Sequence, residues 1–148
     1  MAALYEETLL ADIRHVTPRF AVAPQLTEAD FAEIAAAGFQ SVINNRPDGE
    51  AADQVADDKA RKLAEAAGLH YQAIPFAGPP GPDQIEATVK ALAALPGPVL
   101  AYCRSGTRSI TAWALAQAKA KARGSDEIIG LAQKAGYDLA ALKSRLDQ

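Results

Sequence analysis

The sequence predicts an α/β fold: a three-layer domain in which a mainly parallel sheet of about four or five strands is flanked by helices. Two observations carry the prediction. Short apolar runs that read as strands (20–23, 39–44, 70–75 and 98–102) alternate with longer helical stretches, the pattern of a parallel sheet covered on both faces. Gly and Pro punctuate nearly every junction, at Pro24, Gly38, Pro47, Gly49, Gly68, residues 78–82 and residues 96–98. A length of 148 residues, with 49% hydrophobic and 22% charged residues, is enough for one domain with a sizeable core, here taken as residues 1–148.

Residues 1–18 are mixed in character, and His15-Val16-Thr17-Pro18 reads as an approach to the first strand at 20–23. Thr27-Glu28-Ala29-Asp30 has the form of a capping box, so a helix is expected over 27–37 with Gly38 closing it. A strand over 39–44 leads into a turn, Asn45-Arg46-Pro47-Asp48-Gly49. Residues 51–68 place acidic residues early and Arg61 and Lys62 later, a distribution that suits the helix dipole. After the strand at 70–75 and a rigid Pro/Gly loop, Asp83-Gln84-Ile85-Glu86 opens a helix that runs to about Leu95, with Asp83 expected as its cap. A helix from Ser109 is small or apolar on nearly every side and should be largely buried, with Trp113 in the core. Two short helices, 126–134 and 138–146, finish the chain.

The chemistry concentrates between the last strand and that buried helix. Val99-Leu100-Ala101-Tyr102 is followed by Cys103, the only cysteine, and then Arg104-Ser105-Gly106-Thr107-Arg108-Ser109. A helix N-terminus presents unpaired N–H groups and the positive end of a dipole, which favours an anion or a thiolate there. Cys103 is therefore read as a nucleophile activated by that field, with Arg108 as a fixed charge and planar donor fork. Gly106 supplies the positive φ that lets N–H groups converge. Arg104, Ser105, Thr107 and Ser109 are expected to add anion-binding donors. Arg46 sits just past a strand end, where ligand crevices of such sheets form, and is counted as an anion contact on that ground.

Composition narrows the partners. A net charge of −3 gives no general attraction to nucleic acid or anionic membrane. One cysteine excludes an internal disulfide, and the start Met1-Ala2-Ala3-Leu4-Tyr5-Glu6-Glu7 lacks the features of a signal peptide. A cytoplasmic protein with no metal site and no cofactor is expected.

The element order resembles the small dual-specificity phosphatases. The stretches 20–25, 41–48 and 98–109 look like the phosphatase-like domain that occurs alone or in front of metallo-β-lactamase-type persulfide dioxygenases. The loop Cys103-Arg104-Ser105-Gly106-Thr107-Arg108 is itself similar to that of rhodanese-type sulfurtransferases. Phosphatases of this class place five residues between Cys and Arg, have His before the Cys, and carry an Asp acid just after the strand ending Ile-Pro. This chain has four residues there, Tyr102 before the Cys, Ser109 at the phosphatase Arg position, and no carboxylate over 71–81.

The resemblance and these departures lead to an expected sulfurtransferase. Cys103 would take a sulfane sulfur from thiosulfate or a low-molecular-weight persulfide and pass it to a thiol or cyanide, with a persulfide dioxygenase as a possible partner protein. The alternative is a cysteine-dependent phosphatase of the dual-specificity type acting through a phosphocysteine. A third reading is a non-catalytic module that binds an anion or a persulfide.

Overall fold

The computed structural model describes residues 11–148, so the expectation about a signal peptide at the N-terminus lies outside the described residues. Five strands form one sheet: β1 (Arg14–Thr17), β2 (Phe20–Ala23), β3 (Ser41–Asn44), β4 (His70–Ala73) and β5 (Val99–Tyr102), in the spatial order β1-β2-β5-β3-β4. All neighbours are parallel except β1, which pairs antiparallel with β2. The mainly parallel, helix-flanked sheet is the one expected. The additional strand is β1, read above only as an approach to the sheet. It pairs as an edge with a register shift between His15 and Thr17, and only Val16 of its four residues is buried.

Alternation along the strands builds two cores. On one face Phe20, Val22, Ile43, Val99 and Ala101 pack beneath α3 (Pro82–Ala94), α4 (Thr107–Lys119), α5 (Ser125–Lys134) and the short α6 (Lys143–Leu146). On the other, Ala21, Ala23, Val42, Leu100 and Tyr102 meet α1 (Asp30–Ala36) and α2 (Asp57–Ala66). Every residue of β5 is buried, as a central parallel strand requires. Trp113 on α4 stacks on Phe20 with ring centroids 5.6 Å apart, and it is core as expected.

Helix starts differ from the sequence reading: α1 begins at Asp30 and not at Thr27, the segment expected as a helix over 138–146 holds a 3-10 turn (Ala140–Leu142) before α6 begins at Lys143, and others shift as well. The stretch before Asp57 turns rather than winding as helix, because its polar groups have other partners. Gln54 Nε2 donates to the Pro47 carbonyl, and the Asp48 carboxylate accepts the Asp57 N–H. Asp83 does not cap α3: Gly81 occupies that place, its N–H donated to Gln84 Oε1, with Pro82 in the first turn. Helix α4 begins at Thr107, two residues earlier than expected. Of the capping box at Thr27, the Asp30 carboxylate accepts the Thr27 N–H at 2.7 Å.

Strand register fixes the site. Tyr102 lies opposite both Ala23 and Asn44, and Asn44 lies opposite Ala73. Four parallel strands thus end level, and the segments after them begin side by side at one edge of the sheet, where ligand crevices form.

Candidate active site

Cys103 follows β5 directly and is 1% exposed. Its N–H donates to the Ala23 carbonyl at 3.4 Å, which continues the ladder for one more residue. The chain then turns sharply, and the Gly106 N–H donates to Cys103 Sγ at 3.1 Å. Gly106 makes this turn possible with φ of +93°, a conformation that costs other residues energy. A Cβ there would also collide with the Tyr137 hydroxyl. That hydroxyl donates to the Ser105 carbonyl at 2.9 Å, so a residue beyond α5 holds the back of the loop. Among the described residues, the N–H groups of Arg104 and Ser105 have no hydrogen-bond acceptor, which leaves them for a ligand.

Arg108 carries its charge beside the loop, on a partner that the sequence did not suggest. Its Nη1 donates to Glu50 Oε2 at 2.8 Å and to the Phe76 carbonyl at 3.0 Å, and its Nη2 donates to Glu50 Oε1 at 2.7 Å. Arg46 meets the same carboxylate, Nε to Glu50 Oε1 at 2.9 Å, and reaches Gln25 Oε1 through Nη1 at 3.0 Å. One carboxylate therefore joins two guanidiniums across the crevice. The Arg108 hydrogen bonds, followed by those of Arg46, pull the Glu50 carboxyl down to about pKa 2. Hydrogen bonding to Glu50 likewise raises Arg108, and the nearby Cys103 sulfur adds to the effect.

Arg46 is 5% exposed, so it is a built part of this edge rather than a free turn residue. The hydroxyls divide. Ser109 Oγ is buried and donates to Asn45 Oδ1 at 2.8 Å, which commits it to the scaffold. Ser105 and Thr107 pair with each other at 3.0 Å on the exposed rim. Arg104 is exposed, and its carbonyl accepts the Gln25 N–H at 3.3 Å. Asn45 also donates from Nδ2 to the Ile74 carbonyl, tying the ends of β3 and β4 to the start of α4.

Of the eight residues predicted for the site, Cys103, Arg104, Ser105, Gly106 and Thr107 form one turn, with Arg108 and Arg46 beside it. Ser109 faces inward instead. The sequence reading missed Gln25, Asn45, Glu50 and Tyr137. Asn45 directly follows a segment taken as a strand and Gln25 comes two residues after one, and that position was the one signal available for them.

The family described as beta-lactamase hydrolase-like protein, phosphatase-like domain, matches residues 12–120. The chain belongs to that family. A beta-lactamase hydrolase-like protein of Agrobacterium fabrum is 35% identical over 134 residues, 90% of this chain but 31% of the relative. One from Xylella fastidiosa is 34% identical over 125 residues, 84% of this chain and 29% of the relative. The chain thus spans about a third of the length of the curated relatives it matches.

A solved structure of a candidate phosphatase from Neisseria meningitidis is 34% identical, with TM-score 0.80 over 92% of this chain and 96% of the other. The Siw14 catalytic core shares the fold at 12% identity, with TM-score 0.63 over 91% of this chain and 82% of that one. The architecture is that of the dual-specificity-type phosphatases. These comparisons favour the phosphatase alternative over the sulfurtransferase expected from the loop, and none of them speaks for the rhodanese likeness. Among the described residues no helix is long and apolar enough to cross a membrane.

Proposed function

We propose that the protein is a cysteine-dependent phosphatase of the dual-specificity type, restricted to phosphate compounds whose leaving group departs without a proton. The carrying observation is the placement of Cys103, which ends the central strand of a phosphatase-type sheet with its sulfur under the Gly106 N–H and beside Arg108. The sulfur attacks phosphorus, the S–P bond forms, and the P–O bond to the leaving group breaks. Water then attacks the phosphocysteine, releasing phosphate and the free cysteine. The N–H groups of Arg104 and Ser105 and the Arg108 charge would take the charge that develops on the equatorial oxygens.

The restriction comes from the acid. No carboxylate occupies residues 71–81, and Asp83 is an exposed first-turn residue of α3. The carboxylate nearest the arginines, Glu50, is held ionised by them and cannot donate a proton near neutral pH. An aryl phosphate or a phosphoric anhydride has a leaving group acidic enough to manage without one.

The same two features support a second reading, transfer of a sulfane sulfur through a Cys103 persulfide. Sulfite leaves thiosulfate without a proton, and a loop with four residues between Cys103 and Arg108 suits one sulfur atom better than a tetrahedral phosphate. On that reading, a persulfide dioxygenase is a suitable partner.

The deciding experiment measures phosphate release from a series of aryl phosphates with leaving-group pKa from about 5 to 10. Wild-type protein and Cys103→Ser are compared, and both are also given thiosulfate with cyanide. Expected is Cys103-dependent phosphate release whose kcat/KM, which reports the step that expels the leaving group, falls steeply as leaving-group pKa rises. A flat profile would mean an acid is at work and would overturn the restriction. Thiocyanate formation without phosphate release would transfer the assignment to sulfur chemistry, and inactivity in both assays would leave a binding module.

A further inference from the structure

A second feature of this edge has no part in bond-making. Next to the cysteine loop lies a cleft of about 440 Å³, bounded by Gln25, Arg46, Asp53, Gln54, Val55 and Arg104. Its size falls in the lower range for small-molecule sites. It adjoins the cysteine turn: Arg104 follows Cys103 in the chain, and Gln25 is hydrogen-bonded to both the Arg104 carbonyl and the Arg46 guanidinium. One hydrogen-bonding group on its walls is incompletely used. Arg46 Nη2 makes no hydrogen bond to another described residue, although Nε and Nη1 both do.

The charge balance favours an anion. Glu50 is one negative charge against Arg46 and Arg108, so the trio remains net positive, and Arg104 adds an exposed cation on the same wall. Of the acidic groups at the mouth, Glu28 is occupied by Lys59 at 2.6 Å, whereas Asp53 is exposed.

We infer that this cleft holds the non-reacting part of the substrate, a small organic molecule bearing a carboxylate for Arg104 and Arg46 and an ammonium or other N–H donor for the exposed Asp53. The inference rests on the reading of Cys103 as the group-transfer centre and adds the class of molecule that carries the transferred group. The amino-acid-like pairing of a carboxylate with an ammonium meets both demands.

The test is equilibrium binding by calorimetry to the Cys103→Ser protein, which does not consume its ligand. The probes are O-phosphotyrosine and O-phosphotyramine, aryl phosphates that differ only by the carboxylate. O-Phosphotyrosine is expected to bind about fivefold tighter, the scale of a partly exposed ion pair. Adding Arg104→Ala, on an exposed side chain whose removal leaves the fold intact, should reduce the preference below about twofold, and Arg104→Lys should restore part of it. Equal affinity for the two probes, a preference that survives Arg104→Ala, or no binding of O-phosphotyrosine would each overturn the inference. The phosphatase reading fails separately, on the absence of Cys103-dependent aryl phosphate turnover.

Discussion

At the scale of single residues, Glu50 joins the two arginines of the site. Its side chain is 27% exposed, yet both oxygens are bonded to arginine. Replacing it with Gln would leave Arg46 and Arg108 facing each other without the intervening charge, at a cost of about 1–3 kcal/mol. The pH dependence has a fixed sign. A carboxyl whose folded pKa is about 2 stabilises fully above its unfolded value, near 4.3, and loses that contribution as pH falls through about 2. Denaturant midpoints for wild type and Glu50→Gln should therefore differ clearly at pH 6, and the gap should narrow steadily from about pH 4 down to 2. A gap independent of pH would mean that Glu50 contributes by packing and not by charge.

The elements show what local sequence can and cannot specify. The cysteine turn was readable because its signals are contiguous: an apolar strand, Cys103, Gly106 and an alanine-rich helix follow one another. Its supports were not, because Gln25, Asn45 with Glu50, and Tyr137 come from three separate segments, after β2, β3 and α5, that only the fold brings together. Strand β1 escaped notice because an edge strand with one buried residue has no hydrophobic period to detect. The residues before Asp57 look helical by propensity, but their hydrogen bonds to Pro47 and from Asp57 to Asp48 close a loop instead. Tertiary partners outweighed local preference.

The turn itself offers a test of how those supports act. Gly106→Ala should cost about 1–3 kcal/mol from the positive φ, and the collision with Tyr137 adds to it. Tyr137→Ala removes the colliding ring together with one hydrogen bond. In a double-mutant cycle monitored by thermal unfolding, the two changes should therefore be less than additive by about 1 kcal/mol. Strict additivity would show that the ring moves aside freely and does not brace the loop.

For the whole molecule, the polarity of the sheet separates stability from chemistry. The reactive edge is built on the carboxyl ends of the strands, whereas Phe20, which begins β2, stacks on Trp113 at the opposite end. Trp113 belongs to the helix that follows the cysteine turn, yet it lines a pocket at that far end together with Thr17, Arg19, Leu95 and Val99. Trp113→Ala opens a cavity at that end and should cost about 3–5 kcal/mol. For a domain of this size each kcal/mol lowers Tm by roughly 2–4 °C, so Tm should fall by about 6–20 °C. Because the hydrogen bonds around Gly106, Glu50 and Tyr137 do not pass through the Phe20 stack, kcat/KM toward an aryl phosphate should stay within about twofold of wild type well below the lowered Tm. A loss of activity in parallel with stability would show instead that α4 transmits core packing to the cysteine turn as a rigid body.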